Sequence, residues 1–457
     1  MKEKNRVYKL NITSVTTEGD GISRTEEGKV VFTPMCCAGD EMTVKIIKET
    51  SGYLVGKTEE LITPSPDRIQ PDCPVFRQCG GCALRHMNYE AEKRLKYDHV
   101  RDCLTRIGKC DITPEYIVSP VTERYRNKAQ YPVTQTEKGL AAGYFARHSH
   151  RVIPHGDCML QPQKTTEIIG DILKELNGVS VYDSETGKGV LRHLYLRNTG
   201  NGEYCVMPVV NTEDVSFLCP VSEKITALHP EIKSFYANIN TQNTNVILGK
   251  KCVLLKGEAY LTDILCGKRF LVSPLSFWQV NTKAAQLLLY KAKEYADLKK
   301  GDIVCDLYCG TGTVGICCTD TDTKLFGIEI IPEAVEDASR NAKANGYTDF
   351  RFVCADSEKG IEECKNTFGT PRVVFTDPPR KGMTEKVIND IALSGAEKVV
   401  YISCNPATLA RDVKIFEEKG FKAQKAAVFD LFPRTSHVES VVCLTRRLDN
   451  ELRKRMN

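Results

Sequence analysis

Two patterns of hydrophobic spacing divide this chain. From about residue 271 onward, short apolar runs alternate with stretches of helical period. The runs are D-I-V-C-D-L, T-K-L-F-G-I-E-I, F-R-F-V-C-A-D, R-V-V-F-T-D, K-V-V-Y-I-S-C, K-A-A-V-F-D and V-E-S-V-V-C-L-T-R. Runs that are apolar at nearly every position predict strands buried on both faces, and the helices between them predict a doubly wound sheet. Residues 1–60 instead alternate short β-like runs with Gly/Asp turns and show no helical period, which predicts a small β-barrel of the oligonucleotide/oligosaccharide-binding kind. Residues 61–270 mix both patterns. Within them, 62–74 is proline-rich and reads as a linker, and 89–107 reads as one amphipathic helix with Leu95, Val100, Leu104 and Ile107 inward. The expected fold class is multidomain α/β: an OB-like barrel at 1–60, a central α+β domain at 61–270 and a Rossmann-like domain at 271–457.

Composition narrows the classes. A chain of 457 residues supports several cores, and a net charge of +4 permits nucleic-acid binding without requiring it. The N-terminus has no signal-like apolar core, and no run approaches about 18 apolar residues. A cytoplasmic protein with no membrane partner is therefore expected, and its thiols should stay reduced. Twenty cysteines then point to a metal or cluster site together with core cysteines, among them the adjacent pairs Cys36/Cys37 and Cys317/Cys318. Cys73, Cys79 and Cys82 stand in a C-x5-C-G-G-C nest suited to zinc or an iron–sulfur cluster. The foremost fourth ligand is Cys158, with His86 and His155 as rivals. Arg124, Arg126, Lys128, Arg147 and Arg151 interleave with Tyr125, Tyr131, Tyr144 and Phe145, a mixture that suits RNA and equally a plain basic face.

The chemistry collects at strand ends, where open α/β sheets bind ligands. The first strand of the doubly wound region ends in Asp306 and a glycine loop, Cys309-Gly310-Thr311-Gly312, and the second ends in Glu329, placed to take ribose hydroxyls. Asp356 ends the third, in line for an adenine edge. Asp377 ends the fourth, in D-P-P-R-K-G, where two prolines hold it toward the site. Cys404 ends the fifth, in Y-I-S-C-N-P. If the last strand runs antiparallel, Glu439 at its beginning meets Cys404 and Asp377, so that a nucleophile, an orienting acid and a base converge.

The runs E-G-x-G-I-x-R, G-K-V-V-F, G-D-E-M-x-V-K-I and Y-L-V-G-K resemble the TRAM domain, an RNA-binding barrel of RNA-modifying enzymes. D-L-Y-C-G-T-G looks like motif one of class I methyltransferases, which bind S-adenosylmethionine (AdoMet). Together with F-W-Q-V-N, D-P-P-R-K-G, Y-I-S-C-N-P and H-V-E-S, it closely resembles the RNA 5-methyluridine (uracil-C5) methyltransferase family, and the TRAM-like start and C-x5-C-G-G-C are similar to its 23S ribosomal RNA branch. The resemblance implies Cys404 as nucleophile, Glu439 as base, and AdoMet contacts from Gln279, Tyr308, Thr313, Glu329 and Asp377. Tyr308 stands where the family often has Phe, and Thr313 where it often has Asn. It also implies a 4Fe–4S cluster on Cys73, Cys79, Cys82 and Cys158. The expected partner is RNA, 23S ribosomal RNA in particular, and not DNA. The rival readings are the same chemistry on transfer RNA, another base methyltransferase, and a non-enzymatic RNA-binding or redox-sensing iron–sulfur protein.

Overall fold

The seven apolar runs of the C-terminal region are seven strands of one sheet. The computed structural model describes residues 3–447, so the tail of the expected 271–457 domain lies partly outside the described residues. Five strands are parallel, in the order Phe350–Cys354, Lys324–Glu329, Ile303–Leu307, Val373–Thr376 and Lys398–Ser403. Burial explains their composition: Val304, Leu307, Leu325, Phe326, Val373, Phe375, Val399 and Val400 are all excluded from solvent, as strands covered on both faces must be. Glu439–Arg446 inserts antiparallel between Lys398–Ser403 and Phe421–Phe429. A three-residue strand, Glu115–Ile117, joins the edge beside Phe421–Phe429; it is too short to show a period in the sequence.

Strand order reverses between Ile303–Leu307 and Val373–Thr376. Such a switch point leaves a crevice at the carboxyl ends of its two strands. Helices return the chain between strands, and side chains cap several of them. Asn281 accepts from Ala284 N at the start of Thr282–Ala296, and Asn405 accepts from Ala407 N at the start of Pro406–Glu418.

This sheet belongs to a compact unit made, among the described residues, of 100–143, 154–431 and 439–447. The same unit contains a second, mixed sheet with Lys128–Thr136, Leu191–Asn198, Tyr204–Val210, Ile232–Ile239 and Lys251–Gly257 as consecutive strands. Tyr204–Val210 is buried along its whole length. Helix Leu218–Leu228 links it to its parallel neighbour Ile232–Ile239.

The other unit holds, among the described residues, 3–99, 144–153 and 432–438. Six short strands form its sheet, in the order Val7–Asn11, Glu41–Glu49, Leu54–Thr63, Val30–Thr33, Gly21–Arg24 and Ser14–Val15. They surround Leu10, Ile12, Val31, Cys36, Met42, Val44, Ile46 and Leu54. Register shifts between the two long strands add the bends that such a curled sheet needs. The proline-rich segment 62–74 is not a free linker. Asp40, fully buried, accepts from Ser65 N and Arg68 Nε, each at 2.9 Å, and Arg68 bridges to Met87. An aspartate buried in the barrel leaves its charge unpaired unless this segment folds back onto it.

Helix Tyr89–Asp102 continues as a π-helical turn, Cys103–Ile107. Val100 and Leu104 are buried as expected, whereas Ile107 is exposed and the inward face also carries Glu92 and Lys96. Lys96 Nζ donates to Glu92 Oε1 at 2.7 Å and to the Phe432 carbonyl at 3.1 Å, and Arg434 N donates to Glu92 Oε1 at 2.7 Å. Among the described residues no helix is long and apolar enough to cross a membrane.

Removing one partner of a buried ion pair strands the other charge, at a cost of about 3–5 kcal/mol. Glu92→Ala is expected to lower stability by that amount in denaturant titration, Lys96→Ala by less because Arg434 stays 3.7 Å from Glu92, and Glu92→Leu/Lys96→Met by much less than Glu92→Ala. Equal losses in all three variants would contradict the pairing.

Candidate active site

The glycine loop after Ile303–Leu307 is shaped by close approach. Gly312, at φ +79°, starts helix Thr313–Cys318. A Cβ on Gly315 would lie 2.9 Å from Asp306 Oδ2 and 2.8 Å from Leu325 Cδ1, so only glycine lets this helix close onto the strand. Asp306 is buried beneath it and accepts from Gly315 N at 2.8 Å. Burial pushes its carboxyl up to about 8, opposed by that bond and reinforced by Asp377 and Glu329. Tyr308 sits at φ +62°, in the left-handed region that a non-glycine residue rarely adopts, and such strain concentrates at functional loops.

The loop opens into a cleft lined by Gln279, Tyr308, Thr313 and Asp377 together with the apolar Phe277, Leu289, Ile402 and Leu431. A Cβ on Gly310 would meet no atom within 4 Å, which marks open space over the loop. Apolar walls with a few polar groups and one acid fit a ligand with an aromatic ring and a cationic centre. Phe277, whose ring is exposed, and Leu431 were not singled out in the sequence, although F-W-Q-V-N contains the first. The tryptophan of that motif is buried, donating Nε1 to Asp263 at 2.9 Å.

Glu329 touches the loop from the next strand: its Oε2 accepts from Gly310 N at 3.2 Å, and its Oε1 accepts from the amides of Ile330 and Ile331. Asp356 is exposed, does not line the cleft and caps its own turn by accepting from Glu358 N at 2.9 Å. A carboxylate just after a strand competes for the first free amides of the following turn, which accounts for its placement.

Cys404 and Glu439 come together through strand register. Lys398–Ser403 pairs with Glu439–Arg446 from Lys398↔Thr445 to Ser403↔Ser440, and one further step along that register sets Cys404 opposite Glu439. On the other side, Thr376 pairs with Tyr401, so Asp377 also follows at the same edge. Cys404 is half-buried and Glu439 buried. Burial raises the Cys404 thiol, as do the carboxyls of Glu439 and Asp377, while Arg380 acts in the opposite sense. Glu439 is pushed far above the usual carboxylate range by burial and by Asp377, again opposed by Arg380. Burial lifts Asp377 to about 7.

A hydrogen-bond lattice ties the two functional loops together, and no sequence motif had pointed to it. The Arg380 carbonyl accepts from Asn405 Nδ2 at 2.9 Å and from Thr408 Oγ1 at 3.2 Å. Asp412, buried, accepts from Met383 N at 2.9 Å and from Tyr401 OH at 2.7 Å. Asn405 before Pro406 is the visible part of this signal, since Asn then Pro opens helices.

The four cysteines are placed differently. Cys73, Cys79 and Cys82 lie half-buried in tight turns of the barrel's unit, and Gly81 N donates to Cys79 Sγ at 3.4 Å. Cys158 is buried in the other unit. The Gly81 bond suits a thiolate at Cys79, but among the described residues no group of three or more His, Cys, Asp or Glu side chains is gathered as a metal requires. His86 is a core residue whose Nε2 meets the Cys36 carbonyl at 2.9 Å, and burial pulls it down to about 4. The ring of His155 meets Tyr131 edge-on. Two of the rings expected to stack on RNA, Tyr125 and Tyr131, are buried, and two of the cations are used internally. Arg124 forms a fork with Asp157, and Arg147 donates to the Glu18 carbonyl.

A strand-switch crevice with a glycine loop and an acid at the next strand end defines a class I methyltransferase fold. Residues 249–447 match the family described as tRNA (Uracil-5-)-methyltransferase, and residues 2–58 match the TRAM domain. An uncharacterized RNA methyltransferase of Halalkalibacterium halodurans is 38% identical, covering 96% of this chain and 97% of its own. Another, of Clostridium tetani, is 37% identical over 97% of both. Pyrococcus abyssi tRNA (uracil-54, C5)-methyltransferase, solved with S-adenosyl-L-homocysteine, shares the fold at a TM-score of 0.77, with 24% identity over 96% of this chain and 99% of that one. The chain belongs to the TRAM-bearing RNA uracil-5-methyltransferase family and is an AdoMet-dependent RNA uracil-C5 methyltransferase.

The buried acid beneath the loop gives a pH signature. Asp306 ionises near 4 in an unfolded chain and near 8 here. Between those values the folded state holds a proton that the unfolded state has released. Stability therefore falls as pH rises through the window, by up to about 1.4 kcal/mol per pH unit. In ligand-free protein, Asp306→Asn is expected to flatten the pH dependence of the denaturation midpoint between about pH 5 and pH 8. A slope equal to that of the wild type would contradict the buried neutral acid.

Proposed function

We propose that this enzyme methylates C5 of a uridine in 23S ribosomal RNA through a covalent bond between Cys404 and C6 of an extruded base. The observation that carries the reading is the register that sets Cys404 opposite Glu439 at the ligand edge, with Asp377 on the neighbouring strand. Uracil C5 is too weak a nucleophile to take a methyl group unaided. Addition of the Cys404 thiolate to C6 produces an enolate and places electron density on C5. AdoMet, when bound, supplies an electrophilic methyl group on a sulfonium. Once C5 carries that methyl, Glu439 removes the C5 proton and elimination returns Cys404.

The raised pKa of both groups fits this order of events. A thiol held up by two carboxyls resists ionisation until positive charge is near, and Arg380 already acts in that sense. Glu439, whose proton affinity is raised by burial and by Asp377, takes a proton from carbon once it is ionised, a state that a cationic methyl donor nearby favours. Gln279, Tyr308, Thr313 and Asp377 line the cleft and are the proposed AdoMet contacts, with Glu329 holding the loop at Gly310. Asp356, which caps its own turn and acts electrostatically on Tyr308, is proposed for the adenine edge. Because C6 is covered in a stacked strand, the uridine must leave the stack to be reached.

The ribosomal substrate rests on the TRAM barrel together with C-x5-C-G-G-C. Transfer RNA is the second reading, favoured by the family description and by the Pyrococcus abyssi enzyme's own substrate. For the four cysteines, what supports a 4Fe–4S cluster is their spacing and the Gly81 N–H aimed at Cys79 Sγ; no catalytic step runs through it. Iron and acid-labile sulfide in anaerobically prepared protein would support the cluster, and their absence would remove it from the reading.

Labelled AdoMet with unmodified ribosomal and transfer RNA, followed by nucleoside analysis, tests the proposal. Label in 5-methyluridine from ribosomal RNA is expected, whereas label in transfer RNA alone would keep the chemistry and overturn the substrate. Cys404→Ala should abolish transfer even in a single turnover. Glu439→Gln should leave a slow-migrating protein–RNA adduct, and a variant that turns over freely without one would contradict its role as base.

A further inference from the structure

The strand Lys128–Thr136 begins beside the cleft. Asn127, just before it, donates from its backbone to Val280 O at 2.9 Å, and from its side chain to Gln279 O at 2.9 Å and Thr282 Oγ1 at 3.0 Å. Gln279 lines the cleft, so Asn127 ties the start of this strand to the back of the cleft wall. The residues on either side of Asn127 are Arg126 and Lys128.

Lys128 lies directly across from Arg197 in the antiparallel pair of Lys128–Thr136 with Leu191–Asn198. Like charges directly opposite one another on neighbouring strands repel. The cations acting on Lys128 are Arg197 and Arg126. Burial and these two neighbours pull its ammonium down to about 8, and no carboxylate acts in the other direction. Neither Arg126 nor Lys128 forms an ion pair or a side-chain hydrogen bond among the described residues, and Arg126 Nε is buried with no hydrogen-bond partner. Arg197 donates to the carbonyls of Ser273 and Ser276, at 3.0 and 2.6 Å. Asp263, the acid within its reach, has its own oxygens taken by Gly200 N, Ile264 N and Trp278 Nε1.

Two half-buried cations, Arg126 and Lys128, that have no carboxylate of their own and stand beside the buried Arg197 are an unfavourable arrangement for a protein to keep unless an anion completes it. We propose that Arg126 and Lys128, backed by the charge of Arg197, seat a backbone phosphate of the RNA strand beside the extruded uridine. The inference rests on the reading of this chain as an enzyme that flips its target base. It adds the group that holds the sugar–phosphate chain while the base is out. A base rotated out of the stack swings its flanking phosphates with it, and a cationic seat by the wall formed by Gln279 fixes one of them.

Lys128→Gln and Arg126→Gln should each weaken binding of the RNA substrate. Each should also make the dependence of log affinity on log salt shallower by about one unit, as expected when one fewer phosphate is neutralised. Lys128→Arg should restore the slope, and AdoMet binding measured separately shows that each variant is folded. Scanning the RNA with single uncharged methylphosphonate linkages sharpens the test. The wild type should lose affinity at one linkage flanking the methylated uridine, and Lys128→Gln should be indifferent to that same linkage. Weaker binding with an unchanged salt slope would overturn the seat, as would a variant that is still sensitive at every linkage. RNA that binds the wild type but is never methylated would strike the functional reading instead, and the salt slope would then judge the seat by itself.

Discussion

An antiparallel strand at the end of an otherwise parallel sheet reverses which of its ends faces the ligand, and the site depends on that reversal. Every parallel strand offers its carboxyl end to the crevice, which is how Asp377 and Cys404 come to that edge while Asp306 lies beneath the glycine loop. Glu439–Arg446 offers its first residue, and the pairing Ser403↔Ser440 then leaves Glu439 facing Cys404. A one-residue slip would turn Glu439 to the other face of the sheet and separate acid from thiol. That register is held by two buried neighbours, one on each side of the strand.

The same geometry sets the electrostatics. Three carboxyls, those of Asp306, Asp377 and Glu439, and a thiol are gathered at one sheet edge with burial acting on all four. Burial disfavours their charged forms, so the ligand-free site holds protons that ordinary carboxyls would have released. A cationic ligand shifts those carboxyls back toward their ionised forms, which then attract it, and a methyl donor with a sulfonium is of that kind. The ties from Asn405 and Thr408 to the Arg380 carbonyl, and from Asp412 to Met383, keep the loops of the nucleophile and the orienting acid from drifting apart.

Much of this was readable from the chain because each apolar run ends in an informative residue. Asp306, Asp377 and Cys404 follow strands whose bounds the hydrophobic pattern marks. Glu439 was reachable only by assuming that its strand runs antiparallel. Other features depend on partners distant in sequence. The inward face of 89–107 read as apolar, but Glu92 and Lys96 are buried there because residues 432–434 complete their hydrogen bonds. Segment 62–74 read as a linker because the buried charge of Asp40 that recruits it is not visible as a pattern. Asp356 shows that an acid after a strand also serves as a cap, a use that its place in the sequence does not reveal. Tyr125 and Tyr131 show the matching limit for rings, whose alternation with cations does not say which face is buried. Cysteine spacing likewise names possible ligands without saying that their sulfurs gather.

The most direct test of the account replaces the proton that Glu439 is held to remove. RNA transcribed with 5-fluorouridine carries fluorine at C5, which a base cannot abstract, so the methylated adduct should have no route to resolution. Incubation with AdoMet, followed by digestion and mass spectrometry, should recover RNA joined to the peptide containing Cys404, and nothing from Cys404→Ala. An adduct on another cysteine, or the absence of any adduct from enzyme that methylates ordinary RNA, would contradict the account.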